Sequence, residues 1–364
     1  MTILQRETTV GIIANPASGR DIRRLVAAAS VFPLAEKCNM IIRLLAALKT
    51  TGVERVLLMP DIGGIAERLR RALAPRSAAN VWPKVEFLNM PISDGPMDSV
   101  CAVERMVERK VSAIIVLGGD GTHRLVAGAC GDLPLMTLST GTNNVFPEMR
   151  EATIAGLATG LIATGKVAKA EGTVRNKVLR VEVDDHARGL AVVDASISAE
   201  SWTGSKALWR PEFLSQIFVT FAEPDAIGLS AIAGLIHPVS RRAAHGLRVD
   251  LGPVENARLT LKAPIAPGLL ASIGVAGVHE IRPGEVQKIT QTEGVIALDG
   301  EREIEFESDQ QVTLWLDING PISIDVEKVM SLAVRDKLLL AKSNPAKPES
   351  ESFTRSVTYA TQQS

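Results

Sequence analysis

Val111-Ser112-Ala113-Ile114-Ile115-Val116-Leu117-Gly118-Gly119-Asp120-Gly121-Thr122-His123 is the stretch that decides how this chain reads. Ile114 to Leu117 form an unbroken apolar run, the pattern of a central parallel strand covered on both faces. Gly118, Gly119 and Gly121 leave main-chain amides unshielded, and a helix-like segment, Thr122–Ala129, follows. Bare amides in a turn that opens a helix cradle phosphate oxygens. Asp120 lies inside that cradle. An acid repels an anion, so its presence there points to work: holding Mg²⁺, or taking the proton from a hydroxyl about to be phosphorylated. The plain alternative is a strand-to-helix turn, since Gly and Asp favour turns for local reasons.

Working outward, Val10–Ala14 reads as a strand ending at Asn15-Pro16-Ala17-Ser18-Gly19. Helical spacing runs over Glu36–Thr50, with Gly52 as its stop. Strands are expected at Arg55–Met59 and Lys84–Leu88, and helices at Ile62–Leu73 and Asp98–Arg109, with Ser77–Asn80 a loop. After the central strand come Leu133–Leu138, a polar turn at Ser139-Thr140-Gly141-Thr142-Asn143-Asn144, and a small-residue helix, Ala152–Thr164. Alternating strands and helices predict a doubly wound parallel sheet with its ligand at the carboxyl ends of the strands. Asn15, Asp120 and Gly141 all fall at such ends, so three polar turns are expected on one rim.

Beyond Gly165–Gly172 the pattern becomes alternating and β-rich. Val178–Val183, Leu190–Ala195, Arg258–Lys262, Gly294–Leu298, Glu303–Phe306 and Val312–Leu316 read as strands, with a tight turn at Asp299-Gly300. Helices are expected at Glu212–Ala222, Leu229–Leu235 and Val326–Leu340. The expected division is an α/β nucleotide-binding domain over 1–165, a β-rich domain over 166–320, a helix over 321–342 packing back on the first domain, and a loose Ser/Thr-rich tail over 343–364.

The totals agree with a large aliphatic core: 364 residues, 46% hydrophobic and 4% aromatic. A net charge of −1 argues against broad binding to nucleic acid or anionic membrane. Cys38, Cys101 and Cys130 are scattered and lack metal spacing, which fits buried thiols of a cytoplasmic protein. Neither a secretory signal nor a membrane-length apolar run is expected.

Together Asn15-Pro16-Ala17-Ser18-Gly19, Gly118-Gly119-Asp120-Gly121-Thr122 and Gly141-Thr142-Asn143-Asn144-Val145-Phe146 resemble, in order, the motifs of the superfamily of NAD kinases and diacylglycerol-type lipid kinases. The Gly-Thr-Asn-Asn-Val-Phe-Pro wording is most similar to the ATP-NAD-kinase-like acetoin-catabolism protein X group. Asp194–Leu208 and Gly228–Val239 are more faintly similar to later segments of NAD kinases, and Asp299-Gly300-Glu301 to an Asp-Gly element of both families. The resemblance implies an N-terminal α/β domain, a C-terminal β-sandwich and an active site between them. It implies Asp120 as the catalytic residue and, with Asp299, as metal ligand. It implies Asn15, Ser18, Gly19, Gly118, Gly119, Gly121, Thr122, Gly141, Thr142, Asn143 and Asn144 as nucleotide-binding residues. The implied cofactors are ATP and Mg²⁺, with NAD or a related hydroxyl compound as acceptor, in a homo-oligomer (dimer or tetramer) with neither nucleic-acid nor membrane partners.

Two departures qualify NAD as acceptor. The Asn-Glu pair of NAD kinases has no clear counterpart near Glu171–Val178, where Asn176 lacks a following acid, and Lys206-Ala207-Leu208 replaces their Thr-Ala-Tyr. A lipid or other small-molecule kinase, and a non-catalytic nucleotide-binding protein, are therefore kept as alternatives. His123 is weighed as a proton shuttle or phosphate contact against a polar helix start. Arg241, Arg242, His245 and Arg248 are weighed as phosphate contacts against a solvated face, and Trp202 and Trp209 as base-stacking groups against packing.

Overall fold

A computed structural model describes residues 7–18, 32–74, 81–141, 144–199 and 211–340. Gly19, Thr142, Asn143, the loop at 77–80, the segment holding Trp202, Lys206 and Trp209, and the expected tail at 343–364 lie outside the described residues.

The first layer is a seven-stranded sheet in the order β3-β2-β1-β4-β5-β18-β6. Its strands are β1 (Thr9–Ala14), β2 (Arg55–Leu58), β3 (Lys84–Phe87), β4 (Ala113–Gly118), β5 (Leu135–Ser139), β6 (Thr173–Arg175) and β18 (Ile322–Ile324). The run Ile114–Leu117 is central and fully buried, with parallel partners on both sides: Gly11 opposite Ile114, and Leu135 beyond it. Its side chains alternate between two cores. Ile115 and Leu117 face helices α1 (Leu34–Thr51) and α5 (Ala152–Ala163), while Ile114 and Val116 face α3 (Met97–Glu108) and α4 (Asp120–Ala129). Helix α2 (Ile65–Leu73) joins the first of these cores through Ile65 and Leu69.

A single helix turn, α6 (Lys169–Gly172), leads into β6, and the chain leaves the first sheet at Asn176. It returns through Pro321, whose carbonyl accepts from the main-chain N–H of Asn176. The side-chain amide of Asn176 also donates to that carbonyl (2.9 Å) and to Ser323 Oγ (3.0 Å). The expected division near Gly165–Gly172 precedes this crossing by a few residues. Helix α8 (Val326–Arg335), capped by the Asp325 carboxylate on Lys328 N, places Val326, Val329 and Ala333 in the core of α1 and α5.

The C-terminal region is a β-sandwich. One sheet has the order β12-β13-β11-β10-β9-β15-β16, built from β9 (Asp194–Ser198), β10 (Leu214–Val219), β11 (Gly246–Gly252), β12 (Leu259–Ala266), β13 (Leu269–Ile281), β15 (Gly294–Leu298) and β16 (Glu301–Phe306). The other is β14-β17-β7-β8, built from β7 (Val178–Val183), β8 (His186–Ala191), β14 (Gln287–Lys288) and β17 (Val312–Asp317). Leu179, Val181, Leu314 and Leu316 of the second sheet pack on Ile197, Phe218, Ile296 and Leu298 of the first. Helix α7 (Ser230–Ile236) covers the opposite face through Ile232 and Ala233.

Three expectations are corrected. The helix expected over Glu212–Ala222 is a short 3-10 turn at Pro211–Phe213 followed by strand β10. Ile217, Phe218 and Val219 are buried on both faces, and a doubly buried strand has no polar alternation to distinguish it from helix. The strand expected over Leu190–Ala195 is broken at Val192-Val193, because those amides are given to a carboxylate rather than to a neighbouring strand. Helix α8 also stops at Arg335, short of the expected Leu340.

Helices α1 and α5 meet over glycine. A Cβ added at Gly156 would stand 2.7 Å from Ala47 Cβ and 3.1 Å from the Leu44 carbonyl, neither of which can rotate away. Gly156→Val should therefore lower unfolding free energy by about 2 kcal/mol or more, measured by denaturant titration; an unchanged midpoint would refute this packing.

Candidate functional site

Three turns meet at the carboxyl ends of β1, β4 and β5, where the strand order reverses and open α/β sheets bind ligands. Each pair of turns is joined. Asn15 Nδ2 donates to Thr122 Oγ1 (2.9 Å), tying the first turn to the second. Ser18 Oγ lies 2.9 Å from Thr140 Oγ1, tying the first to the third. Asp120 accepts from the main-chain N–H groups of Val145 (3.0 Å) and Phe146 (2.9 Å), tying the second to the third.

Glycine sets how closely they approach. A Cβ at Gly141 would sit 2.9 Å from Gly119 Cα and 2.5 Å from Asn144 Oδ1. At Gly118 it would strike Thr122 Cβ at 2.5 Å. Asn144 is held in turn by donation to Ser139 Oγ (2.6 Å). Gly119, the N-cap of α4, offers the helix's first-turn amides no side-chain acceptor of its own. Their partial positive charge faces the turn.

Asp120 is only 7% exposed, at the first position of α4. His123 is wholly buried, and its Nδ1 lies 2.9 Å from the Gly119 carbonyl. A carbonyl only accepts, so Nδ1 carries the proton and Nε2 is an acceptor. Burial pulls the pKa of His123 down to about 4, so the ring is neutral near pH 7. It packs beside Phe146, with ring centroids 6.0 Å apart. A wholly buried ring does not meet a phosphate or shuttle protons to solvent; His123 sits in the first turn of α4 as a buried support for the Gly119 turn.

Asp299 adopts φ 52° in the tight turn expected at Asp299-Gly300, and its side chain is fully buried. Its carboxylate accepts from Val192 N (3.1 Å), Val193 N (2.7 Å) and Asp194 N (3.2 Å). Arg124 Nε of α4 stands 3.7 Å away, and the same guanidinium donates to Glu303 (2.8 Å). A cation at Asp299 would compete with that guanidinium, and the carboxylate serves as an anchor between regions. Among the described residues, no group of three or more His, Cys, Asp or Glu is placed to hold a metal ion.

Two contributors, Lys37 and Arg124, escaped the sequence reading, and a third, Arg241, takes a role other than those weighed for it. Lys37 of α1 is 0% exposed, and its Nζ donates to the carbonyls of Asn15 and Ser18 and to Ser18 Oγ, each at 2.8 Å. Its signal was there: Lys37 lies on the same helical stripe as Ile41, Leu44 and Leu48. Arg124 carried no local signal. Arg241 belonged to the basic cluster, but its half-buried side chain is committed to protein partners. It donates to the carbonyls of Val145 and Phe146, pairs with Glu223 and stacks 4.2 Å from the Phe221 ring. Arg242 pairs with Asp325, and Arg248 with Asp250.

The family description "ATP-NAD kinase N-terminal domain" matches residues 10–167, and "Acetoin catabolism protein X C-terminal domain" matches 177–319. The chain is 47% identical over 342 residues to acetoin catabolism protein X of Cupriavidus necator, covering 93% of this chain and 95% of that protein. This chain belongs to the acetoin catabolism protein X family. In this family member the three turns lie within the kinase-like N-terminal match, while Arg241 and Asp299 come from the C-terminal match. No described helix is long and apolar enough to cross a membrane.

Burial raises the pKa of Asp299 to about 6, against the opposing pull of Arg124 and the three amides. The native state therefore binds this proton more tightly than the unfolded chain, so stability from this group rises as pH falls through 6 and the ionised form costs stability above it. His123 acts in the opposite sense, but equally in wild type and variant. Between pH 7.5 and 5 the wild type should gain about 1 kcal/mol of unfolding free energy relative to Asp299→Asn. Denaturation curves at the two pH values check this, and a pH-independent difference would refute it.

Proposed function

We propose that this protein is an ATP-dependent phosphotransferase of the NAD-kinase type. It would move the terminal phosphoryl group of ATP to a hydroxyl of a nucleotide or small polyol, NAD being the first candidate. The name of its relative suggests a setting in acetoin catabolism. The observation that carries this reading is the joining of three strand-end turns around Gly119 and Gly141, at the start of α4, whose N-cap residue has no side chain to cap it.

The residues present fit a polyphosphate. Gly118, Gly119 and Gly141 let the three turns close on one another, and the amides opening α4 supply donors and a favourable dipole. Lys37 and Asn15 hold the first turn rigid, so little ordering remains for binding. Mg²⁺ fits as a passenger of the phosphates, since this cation keeps most of its shell of waters and phosphate oxygens. When bound it would neutralise charge developing on the transferred group.

Asp120 would face the acceptor hydroxyl. Two amide donors fix the direction of its carboxylate. Phosphoryl transfer through a loose transition state needs orientation more than a strong base.

One observation favours a second reading, nucleotide binding without transfer to NAD. Asn176, the residue nearest to the Asn-Glu pair of NAD kinases, spends its amide on Pro321 and Ser323.

The test is a titration of purified protein with MgATP, followed by ADP release over NAD, NADH and small polyols. Binding should stabilise the fold by about 2.7 kcal/mol at one hundred times Kd. Asp120→Asn should cut transfer by about a hundredfold or more. Undiminished transfer in that variant removes Asp120 from the chemistry. Binding with no product across the panel selects the second reading, and absence of binding sinks both.

A further inference from the structure

Asp120 belongs to the N-terminal region and Arg241 to the C-terminal one, yet both act on the same two residues, Val145 and Phe146. Asp120 takes their N–H groups, at 3.0 and 2.9 Å. Arg241 takes their carbonyls, with Nη1 3.0 Å from the Phe146 oxygen and Nη2 on that of Val145. One peptide unit, the carbonyl of Val145 and the N–H of Phe146, therefore lies between a cation and an anion. Its dipole is aligned with both charges, so each bond polarises and strengthens the other.

Arg241 is itself fixed. Its Nε and Nη2 make a two-point pair with Glu223 (2.8 and 3.0 Å), and its guanidinium lies on the Phe221 ring. The spacing of Glu223 and Arg241 is set by the main-chain pairing of Ala222 with Val239, two bonds of 2.9 Å. Val145, Phe146, Val192, Val193 and Phe221 pack into one buried apolar cluster around this contact. A planar fork with two donors to carbonyls and two to a carboxylate is a task that lysine cannot perform.

We propose that Arg241 is a positioning residue: through the Val145–Phe146 peptide it sets where the Asp120 carboxylate points. Its bearing on turnover rests on the phosphotransferase reading above; its bearing on loop geometry does not.

The experiment uses the full chain as Arg241→Ala, Arg241→Lys and Glu223→Gln, with two measurements. The first is hydrogen–deuterium exchange at the Val145 and Phe146 amides, with the β4 amides as an internal reference for the fold. Exchange should rise about tenfold or more at 145–146 in Arg241→Ala, and by less in Glu223→Gln, while β4 is unchanged. Should Arg241→Ala not fold, Glu223→Gln and Arg241→Lys carry the measurement. Unchanged exchange at 145–146 in every folded variant overturns the proposal.

The second measurement is transfer from MgATP to NAD. Arg241→Lys should lower kcat by roughly tenfold with KM for MgATP within about twofold, and guanidinium ion should restore part of the loss in Arg241→Ala but none in Asp120→Asn. Equal kcat in Arg241→Lys and wild type overturns the proposal. If the wild type transfers nothing, the phosphotransferase reading fails for NAD, and exchange alone decides the placement of Arg241.

Discussion

The Val145–Phe146 peptide is gripped from two sides, and the arrangement of the candidate site depends on that grip. Its amides end on Asp120 and its carbonyls on Arg241, so a turn after β5 is ordered by charges from two separate parts of the chain. Neutral turn-to-turn bonds would be weaker, and water would compete for them. Burial of both side chains of the pair removes that competition: Val145 and Phe146 sit in an apolar cluster with Val192, Val193 and Phe221.

A second crossing runs the other way. Arg124 leaves α4 and reaches Glu303 and Asp299 of the C-terminal region. Asp299 in turn collects the amides of Val192 to Asp194, which breaks the strand and bends Val192 and Val193 against Phe146. The two crossings meet at one seam. A buried carboxylate with three amide donors is costly to ionise, and Arg124 offsets part of that cost. The first turn follows the same logic on a smaller scale, with the buried ammonium of Lys37 gathering the carbonyls that Asn15 and Ser18 leave inward.

The two regions are also joined by the return of the chain. Strand β18 pairs in parallel with β5 and antiparallel with β6, and α8 then covers α1 and α5. Residues far along the sequence thereby close the first sheet and its core. The family descriptions that match 10–167 and 177–319 leave β18 and α8 outside, although both pack with the first region.

What the sequence determined by itself was local. The apolar run Ile114–Leu117 read as a buried strand, Gly118 to Gly121 as the glycine passage from strand to helix, and the alternation of Val178–Val183 and Val312–Leu316 marked half-buried strands, because periodicity and glycine act within a few residues. The meeting of the three turns followed from their shared place at strand ends. Tertiary structure decided the rest. It made Glu212–Ala222 largely strand, since burial on both faces erases periodicity, and it broke Leu190–Ala195 through a carboxylate more than a hundred positions away. It turned Arg241 from a member of a charged run into a clamp and His123 into a neutral support, since a side chain's role there is set by partners that no local pattern can name.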